Sequence, residues 1–251
     1  MSKIIKVFPS LLFFILLCGG ILKIRTLPLE FDSNSYTTAM SAPWSFKSTV
    51  KERASEIEDK VLRRLSIDNI DLAQVKNSNN LTIVVDKEKG EFYLFASQPE
   101  PKLLKKYKMT AFSGKTGPKN NEGDRQIPEG AYHIEGLNPN SRYHLSLKLN
   151  YPNSLDLKRA RLNKVSNPGS NIFIHGKKVT IGCIPLGDKG IEEVFYLVNK
   201  VGKSKTTVLI TPTLNLKSFQ AQSFSRSSKD LALLKEKYSN LAKNLSSLPL
   251  D

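Results

Sequence analysis

The sequence predicts an α+β protein that is mostly β. Two observations lead to this class. Short runs of β-branched and aromatic residues, separated by turn residues, recur between residues 81 and 210, and this pattern is typical of strands. Three segments, 51–65, 188–200 and 227–248, instead repeat apolar residues every three or four positions, which is typical of helices.

The strands are expected to begin with a hairpin. Residues 81–85 form a β-branched run, 86–90 have turn composition, and 91–96 alternate again. The four residues from Ile127 to Gly130 carry proline second and glycine last, which suits a type I turn. The stretch 152–171 is polar and is expected to be a loop. Further strands are expected at 107–113, 131–134, 141–151, 172–174 and 206–210.

Each predicted helix has an apolar face or an end signal. Helix 51–65 places Ile57, Val61, Leu62 and Leu65 on one face, which we expect to pack on the edge of the domain. Gly202 lies just beyond helix 188–200, where a C-cap is expected.

The last predicted helix has a more ambiguous face. It begins near Ser227, with Asp230 three residues on as a capping-box partner, and follows a serine-rich stretch, 217–228, expected to be flexible. Its apolar stripe suits a coiled-coil seam, a membrane-surface face, or docking on its own domain, and we favour docking. The stripe consists of Leu231, Leu234, Tyr238, Leu241, Leu245 and Leu248.

The N-terminus predicts export. Lys3 and Lys6 precede an uncharged apolar run, 7–22, which suits a secretory signal or a signal anchor. We favour an uncleaved anchor over residues 4–24, held in the cytoplasmic membrane, with the rest in the periplasm; a cleaved signal or a lipidated Cys18 are the alternatives. The expected organisation is a signal or anchor at 1–25, a tether and short helix at 26–78, a site-bearing domain at 79–213, and a linker and helix at 214–251.

The charge indicates an anionic partner. The formal net charge is +15, which suits nucleic acid, acidic lipid head groups or an anionic cell-wall polymer. An exported chain meets the last two, so we expect no nucleic acid partner. The histidines lie far apart and Cys183 has no CxxC partner, so we also expect no metal and no cofactor.

Cys183 and His175 are the candidate catalytic pair. Cys183 has no other cysteine to pair with in the exported part, and an unpaired thiol in an oxidising compartment suggests a chemical role. His175 follows an apolar strand and has a side chain able to act as a base near neutral pH. Gly176 and Gly182 lie beside the two and free the backbone for close approach. The alternative is a buried structural cysteine near a strand-end histidine.

Three sequence blocks resemble the L,D-transpeptidase catalytic domain of the YkuD type. They are GDRQIPEGAY at 123–132, IHG at 174–176, and TIGC at 180–183, the last two being the most specific. The resemblance covers about 81–212. The stretches 138–153 and 188–191, with the short His-to-Cys interval, are similar to a Gram-negative branch that includes murein amidases which detach lipoprotein.

The resemblance implies a β-sandwich that acts on peptidoglycan stem peptides, and on murein-bound lipoprotein if the amidase branch applies. Cys183 would form a thioester with the third, L-centred diamino acid, and His175 would be the base, oriented by the Gly176 carbonyl. The backbone amides of Gly182 and Cys183 would form the oxyanion hole. An amine acceptor would give L,D-transpeptidation and water would give hydrolysis. The candidate substrate contacts are Lys177, Lys178, Thr180 and Tyr143.

Two positions depart from the family pattern. Ile181 stands where the family has a second histidine, and Pro185 stands where it has asparagine or arginine, so the choice of acceptor is open. Lys177 and Lys178 lie between base and nucleophile, where they are either simply exposed or contact a substrate carboxylate. The two rivals to an enzyme are a catalytically silent murein-binding protein and a membrane-surface protein.

Overall fold

Eight strands form one hydrogen-bonded sheet in a computed structural model that describes residues 47–250, except 71–72, 74, 76–77 and 98–99. The predicted N-terminal signal or anchor lies outside the described residues. The strands are β1 (Asn80–Asp86), β2 (Glu91–Ser97), β3 (Pro101–Lys108), β4 (Gly130–Ser141), β5 (His144–Leu149), β6 (Phe173–His175), β7 (Ile184–Pro185) and β8 (Thr206–Thr211). Their spatial order is β3-β2-β1-β8-β4-β5-β6-β7.

Four helices with defined bounds accompany the sheet in the described part of the chain. They are α1 (Val50–Ile67), α2 (Ser154–Leu162), α3 (Gly187–Val201) and α4 (Ser228–Leu245). Short 3-10 turns lie at Lys203–Lys205, Leu216–Ser218 and Ala221–Phe224. This confirms the mixed α+β class, but the expectation of a mostly β chain was wrong, since among the described residues these helices together hold more residues than the strands. None of the helices within the described residues has the length and apolar character needed to cross a bilayer.

The β4 strand joins the two halves of the sheet. Its first four residues, Gly130 to His133, pair with β8, whereas the rest, from Ile134, pairs with β5. The β1–β2 hairpin pairs antiparallel as expected, and β1 runs parallel to β8. The resemblance implied a sandwich of two sheets; the hydrogen bonding here is continuous, because β4 is long enough to serve both halves.

Helix α3 carries the centre of the main core. Ile191, Val194, Phe195 and Val198 are fully buried, at the spacing expected from the sequence. On the neighbouring α1, Ile57, Val61 and Leu65 are also fully buried, and Leu62 is partly buried beside them. Gly202 is the C-cap of α3, as predicted. The hydrophobic side chains of α3 therefore bind it between α1 and the strands that carry the site.

Helix α4 docks on the domain, as favoured from its sequence. Leu234, Tyr238, Leu241 and Leu245 are buried against a second apolar cluster. That cluster draws Val84, Tyr93, Phe95 and Leu209 from the sheet. The Ser227 hydroxyl caps the helix by accepting the Asp230 amide at 3.1 Å.

Three local expectations were wrong. The strand expected at 107–113 is displaced to β3, whose lysines suit an edge strand, and residues 109–113 leave the sheet. The loop expected at 152–171 contains α2, whose Asn153 and Asp156 form a capping box. The serine-rich stretch 217–228 forms 3-10 turns in which Phe219 and Phe224 stack with ring centroids 5.4 Å apart.

Candidate active site

The two shortest strands bring His175 and Cys183 together. Strands β6 and β7 run parallel, with Ile174 opposite Ile184 and His175 opposite Pro185. Cys183 immediately precedes β7, so the same register places it beside Phe173, two residues before His175. His175 and Cys183 are therefore close neighbours across the pair of β6 and β7.

The ring of His175 has a defined tautomer. Its Nδ1 lies 2.5 Å from the carbonyl oxygen of Gly176. A carbonyl only accepts hydrogen bonds, so Nδ1 carries the proton and donates, and Nε2 is left with a free lone pair. This is the protonation pattern of a general base. Burial lowers the pKa of His175, and the hydrogen bond to Gly176 opposes that effect.

Tyr143 packs on the imidazole of His175. The ring centroids lie 4.7 Å apart with an interplanar angle of 37°. The tyrosine is 43% exposed, whereas His175 is only 2% exposed. Tyr143, predicted as a substrate contact, therefore covers the histidine on one side and offers its remaining surface to solvent.

Gly176 permits a close approach that no other residue would allow. A Cβ at this position would lie 2.5 Å from the carbonyl oxygen of Tyr143 and 2.7 Å from Oδ1 of Asp188. Asp188 also accepts the Lys177 amide at 2.9 Å. The glycine thus lets the turn after His175 pack against Tyr143, just before β5, and the start of α3, which holds the Gly176 carbonyl within hydrogen-bond distance of Nδ1.

Thr180 binds the backbone around the thiol. Its Oγ1 accepts the amides of Gly182 at 3.2 Å and Cys183 at 2.8 Å, and its hydroxyl donates to the Cys183 carbonyl at 2.7 Å. The two amides predicted as an oxyanion hole are thus engaged by a side chain of the same turn. The contacts found for Thr180 are internal to the turn rather than directed at a ligand.

The environment of Cys183 favours the uncharged thiol over the thiolate. Burial raises the pKa of Cys183, against smaller opposing effects of the Phe173 backbone and the charge of Lys119. The sulfur lies 3.8 Å from the Asn171 carbonyl oxygen, to which the thiol donates. Raised thiol pKa and lowered imidazole pKa together favour the uncharged pair over a thiolate–imidazolium pair.

Comparison with protein-family models identifies the family of the chain that carries this site. The family model of YkuD, the L,D-transpeptidase catalytic domain, matches residues 80–210, which is more than half of the chain. The chain belongs to the L,D-transpeptidase catalytic-domain family. The match begins at β1 and ends within β8, so it includes both His175 and Cys183.

Individual proteins also resemble the chain. YafK of Escherichia coli strain K12, whose name assigns it to the L,D-transpeptidases, is 36% identical over 119 residues, or 46% of each chain. YafK of E. coli O157:H7 matches to the same extent. The chain thus spans about half the length of the curated relatives it matches.

Two solved structures resemble the fold more distantly. The helical cell shape determining protein Pgp2 from Campylobacter jejuni gives a TM-score of 0.44 at 19% identity, covering 70% of this chain and 75% of Pgp2. Bd1075 from Bdellovibrio bacteriovorus gives a TM-score of 0.40 at 20% identity, covering 68% of this chain and 57% of that one.

The lysines between base and nucleophile differ in their contacts. Lys177 binds Asp188, with Nζ 2.9 Å from Oδ2, so its partner is on the chain itself. Lys178 is exposed and has no hydrogen bond or ion pair with any residue that the structure describes. The structure therefore leaves Lys178, rather than Lys177, available to an anionic group.

The two positions that depart from the family pattern have different surroundings. Ile181 is 78% exposed and neighbours Val179, which is 56% exposed, so this turn presents apolar side chains to solvent. Pro185 is buried in β7, where its carbonyl accepts the Thr110 amide at 3.0 Å. Ile181 therefore faces solvent, whereas Pro185 is part of the strand.

Sequence reasoning missed the loop formed by residues 117–127. The carboxylate of Asp124 accepts the amides of Asn120, Asn121 and Gln126 and the Nζ of Lys119, at 2.6–3.0 Å. The loop packs against Gly182, the residue before Cys183, because a Cβ on Gly182 would lie 3.1 Å from the Gln126 carbonyl oxygen. The aspartate in the GDRQIPEG block was the available signal, but its amide partners lie on both sides of it in a stretch without periodicity.

The pH dependence of thiol alkylation tests the neutral pair. The pKa of Cys183 is raised from an ordinary 9.0 and that of His175 is lowered from 6.5. We expect the rate of Cys183 alkylation by iodoacetamide, followed by intact mass, to keep rising above pH 9 without a plateau near neutrality. A plateau with a midpoint below about pH 7 would contradict it, since it would show a stabilised thiolate.

Replacing Thr180 with valine should weaken the site backbone. The change keeps the shape but removes the partner of two amides and one carbonyl, and an unmet buried group costs about 1–3 kcal/mol. We expect Thr180→Val to lower the free energy of unfolding, measured in urea, by about 1–2 kcal/mol. Thr180→Ser keeps the hydroxyl and is the matched control. Equal stability of the valine and serine variants would count against this role.

Proposed function

We propose that this chain is an exported, peptidoglycan-processing cysteine enzyme of the L,D-transpeptidase type. The observation that carries the proposal is the hydrogen bond from His175 Nδ1 to the Gly176 carbonyl, in a strand whose parallel partner directly follows Cys183. Membership of the L,D-transpeptidase catalytic-domain family supports the same chemistry. The formal charge of +15 suits an anionic wall polymer, and an N-terminal anchor at 4–24 would hold the enzyme at the membrane.

The proposed reaction has two steps. In the first, Nε2 of His175 takes the thiol proton as Sγ of Cys183 attacks the carbonyl carbon of the stem-peptide diamino acid. The bond from that carbon to the departing amine breaks, and His175 returns the proton to the amine, which leaves a thioester. In the second, an amine or water, deprotonated by His175, attacks the thioester and the thiol regains its proton.

The oxyanion would need donors that are not already engaged. The amides of Gly182 and Cys183 both donate to Thr180 in the resting structure, at 3.2 and 2.8 Å. We infer that the substrate oxygen competes with the Thr180 hydroxyl for these amides. The hydroxyl can turn away while its backbone remains in place, so the exchange requires only a side-chain rotation.

Hydrolysis is the second candidate outcome, and the turn between base and nucleophile favours it. Lys177, Lys178, Val179 and Ile181 are all exposed, so this short turn lies at the surface beside the thiol. Water arriving from this side would hydrolyse the thioester. The product would be trimmed stem peptides or, if the acyl group is bound to a lipoprotein, freed lipoprotein. A catalytically silent murein-binding protein is the non-enzymatic alternative.

Muropeptide profiling tests these alternatives. Purified protein would be incubated with murein sacculi, with and without attached lipoprotein, and the muropeptides separated and weighed. New crosslinks between third-position residues indicate transfer, shortened stems or released lipoprotein indicate hydrolysis, and a Cys183 adduct in intact mass indicates the thioester. Cys183→Ser is the matched control. If wild type and Cys183→Ser gave identical muropeptide profiles and no adduct, the enzyme proposal would be wrong and the chain would be a catalytically silent murein-binding protein.

A further inference from the structure

The C-terminal segment, residues 216–245, is attached by buried polar contacts as well as by its apolar face. It lies outside the family match, which ends at residue 210. The Tyr238 hydroxyl donates to Oε2 of Glu129 at 2.6 Å, and both residues are buried. The Asp230 carboxylate binds Arg159 at 2.7 Å. Apolar docking alone does not require such groups, and burying them is unfavourable unless they are paired.

These contacts converge on one end of the loop 117–127. Oε1 of Glu129, the carboxylate that Tyr238 binds, accepts the Gly117 amide at 2.7 Å. Gly117 also lies against the ring of Phe224, since a Cβ there would lie 2.5 Å from a ring carbon. Arg159, held by Asp230, donates from Nη1 to Oδ1 of Asn120 at 2.6 Å. Three groups of the C-terminal segment thus fix the start of this loop.

The other end of the loop lies against Gly182, the residue before Cys183, to which Gln126 presents its carbonyl oxygen. From the start of the loop, the positive charge of Lys119 lowers the pKa of Cys183 against the effect of burial. Glu122 donates its amide to the Asn167 carbonyl at 3.1 Å, on the segment that leads to the thiol's contact at Asn171. Since Asp124 binds amides on both sides of itself, a shift at one end of the loop is passed to the other.

We propose that the C-terminal segment positions the active-site loop 117–127, with Tyr238 and Phe224 as its positioning residues. The segment acts on Cys183 through the loop and does not touch the thiol itself. The consequence for turnover rests on the proposed function, but the consequences for the loop and the thiol do not. Small displacements of groups around a nucleophile can lower rates by up to about 100-fold.

The test replaces Tyr238 with phenylalanine, which keeps the ring and removes its bond to Glu129. We expect the amides of 117–127 to exchange with solvent about tenfold faster, as local opening becomes easier. We expect the apparent thiol pKa, taken from alkylation at a series of pH values, to rise as the Lys119 charge moves away. On murein we expect kcat to fall about tenfold with KM within about twofold.

Tyr93→Phe is the matched control. Tyr93 lies in the same apolar cluster, and its hydroxyl also donates to a carboxylate, that of Glu91, at 2.5 Å. Glu91 belongs to β2, next to the edge strand β3, and not to the contacts that hold the loop 117–127. Tyr93→Phe should leave the amide exchange rates of residues 117–127, the pKa of the Cys183 thiol and the turnover on murein unchanged. Phe224→Leu acts on Gly117 by packing alone and provides a second variant if Tyr238→Phe does not fold.

The proposal is overturned if folded Tyr238→Phe and Phe224→Leu both match Tyr93→Phe in loop exchange and thiol pKa. An inactive wild-type protein would overturn the proposed function instead. Loop exchange and thiol pKa would still decide the role of the C-terminal segment, because neither measurement requires turnover.

Discussion

Replacing His175 with glutamine is expected to lower turnover on murein by about 10³-fold, within the range of about 10²–10⁴ contributed by general bases. The glutamine amide occupies the position of Nε2, one atom farther from the backbone than Nδ1. The change therefore removes both the Nε2 lone pair and the 2.5 Å hydrogen bond from Nδ1 to the Gly176 carbonyl. The initial rate of muropeptide conversion, measured by mass spectrometry, gives the result.

His144→Gln is the matched control for this change. His144 lies near His175 in the sheet, since Ser146 of β5 pairs with His175, but its Nε2 binds Glu192 at 2.8 Å within the ion pairs that join α1 and α3. We expect this variant to keep turnover within a few-fold of wild type. If His175→Gln also stayed within tenfold of wild type, His175 would not be the base.

The lowered pKa of His175 also sets the direction of an acid effect. Its folded-state pKa lies below the ordinary 6.5, so the folded protein binds this proton less tightly than the unfolded chain does. Stability from this group is therefore intact above pH 6.5 and is lost as pH falls from 6.5 through the folded pKa. His175→Gln should lose less stability than wild type between neutral and acid pH.

Replacing Lys87 with methionine is expected to cost about 3–5 kcal/mol of unfolding free energy, the range for breaking a buried ion pair. Its side chain is fully buried, and Nζ donates to the Gly117 carbonyl at 2.7 Å, the Ile127 carbonyl at 2.8 Å and Glu129 at 2.8 Å. Methionine fills a similar volume but leaves the Glu129 carboxylate without its cation. Urea unfolding followed by circular dichroism measures the loss.

Two further variants control the Lys87 result. Lys148 pairs with Glu135 at 3.0 Å with both side chains more than 40% exposed, so Lys148→Met should change stability by less than about 1 kcal/mol. Adding Glu129→Gln to Lys87→Met removes the stranded charge and should restore part of the loss. A Lys87→Met loss no larger than that of Lys148→Met would mean that the buried pair adds no net stability.

Local patterns predicted much of the fold. The β1–β2 hairpin, the short strand before His175, α3 with its Gly202 cap and the docking of α4 were all predicted from periodicity and end signals within single segments. The closeness of His175 and Cys183 in the fold also has a local cause, because only seven residues separate them and the parallel strands β6 and β7 carry His175 and follow Cys183.

The errors arose where distant segments decide the outcome. Residues 109–113 look like a strand, yet Thr110 donates its amide to the Pro185 carbonyl and its hydroxyl to the Lys177 carbonyl, which draws them toward the site. Gly182, predicted to let the amides beside Cys183 converge, has a positive φ in this turn, but Thr180 engages the amides of Gly182 and Cys183. The predicted roles of Lys177, Lys178, Tyr143 and the catalytic pair remain predictions for the experiments above.

By itself the sequence determined the α+β class, the family, the two residues of the proposed chemistry and the faces that helices bury. Each of these depends on neighbouring residues, whose spacing along the chain sets their spacing in a helix or strand. Only the tertiary structure decided which groups surround the thiol. Lys87, Glu129 and Tyr238 lie 42 and 109 residues apart in sequence, and no periodicity encodes their meeting. Burial in one core, where an unpaired polar group is costly, brings them together and attaches the C-terminal segment to the loop beside Cys183.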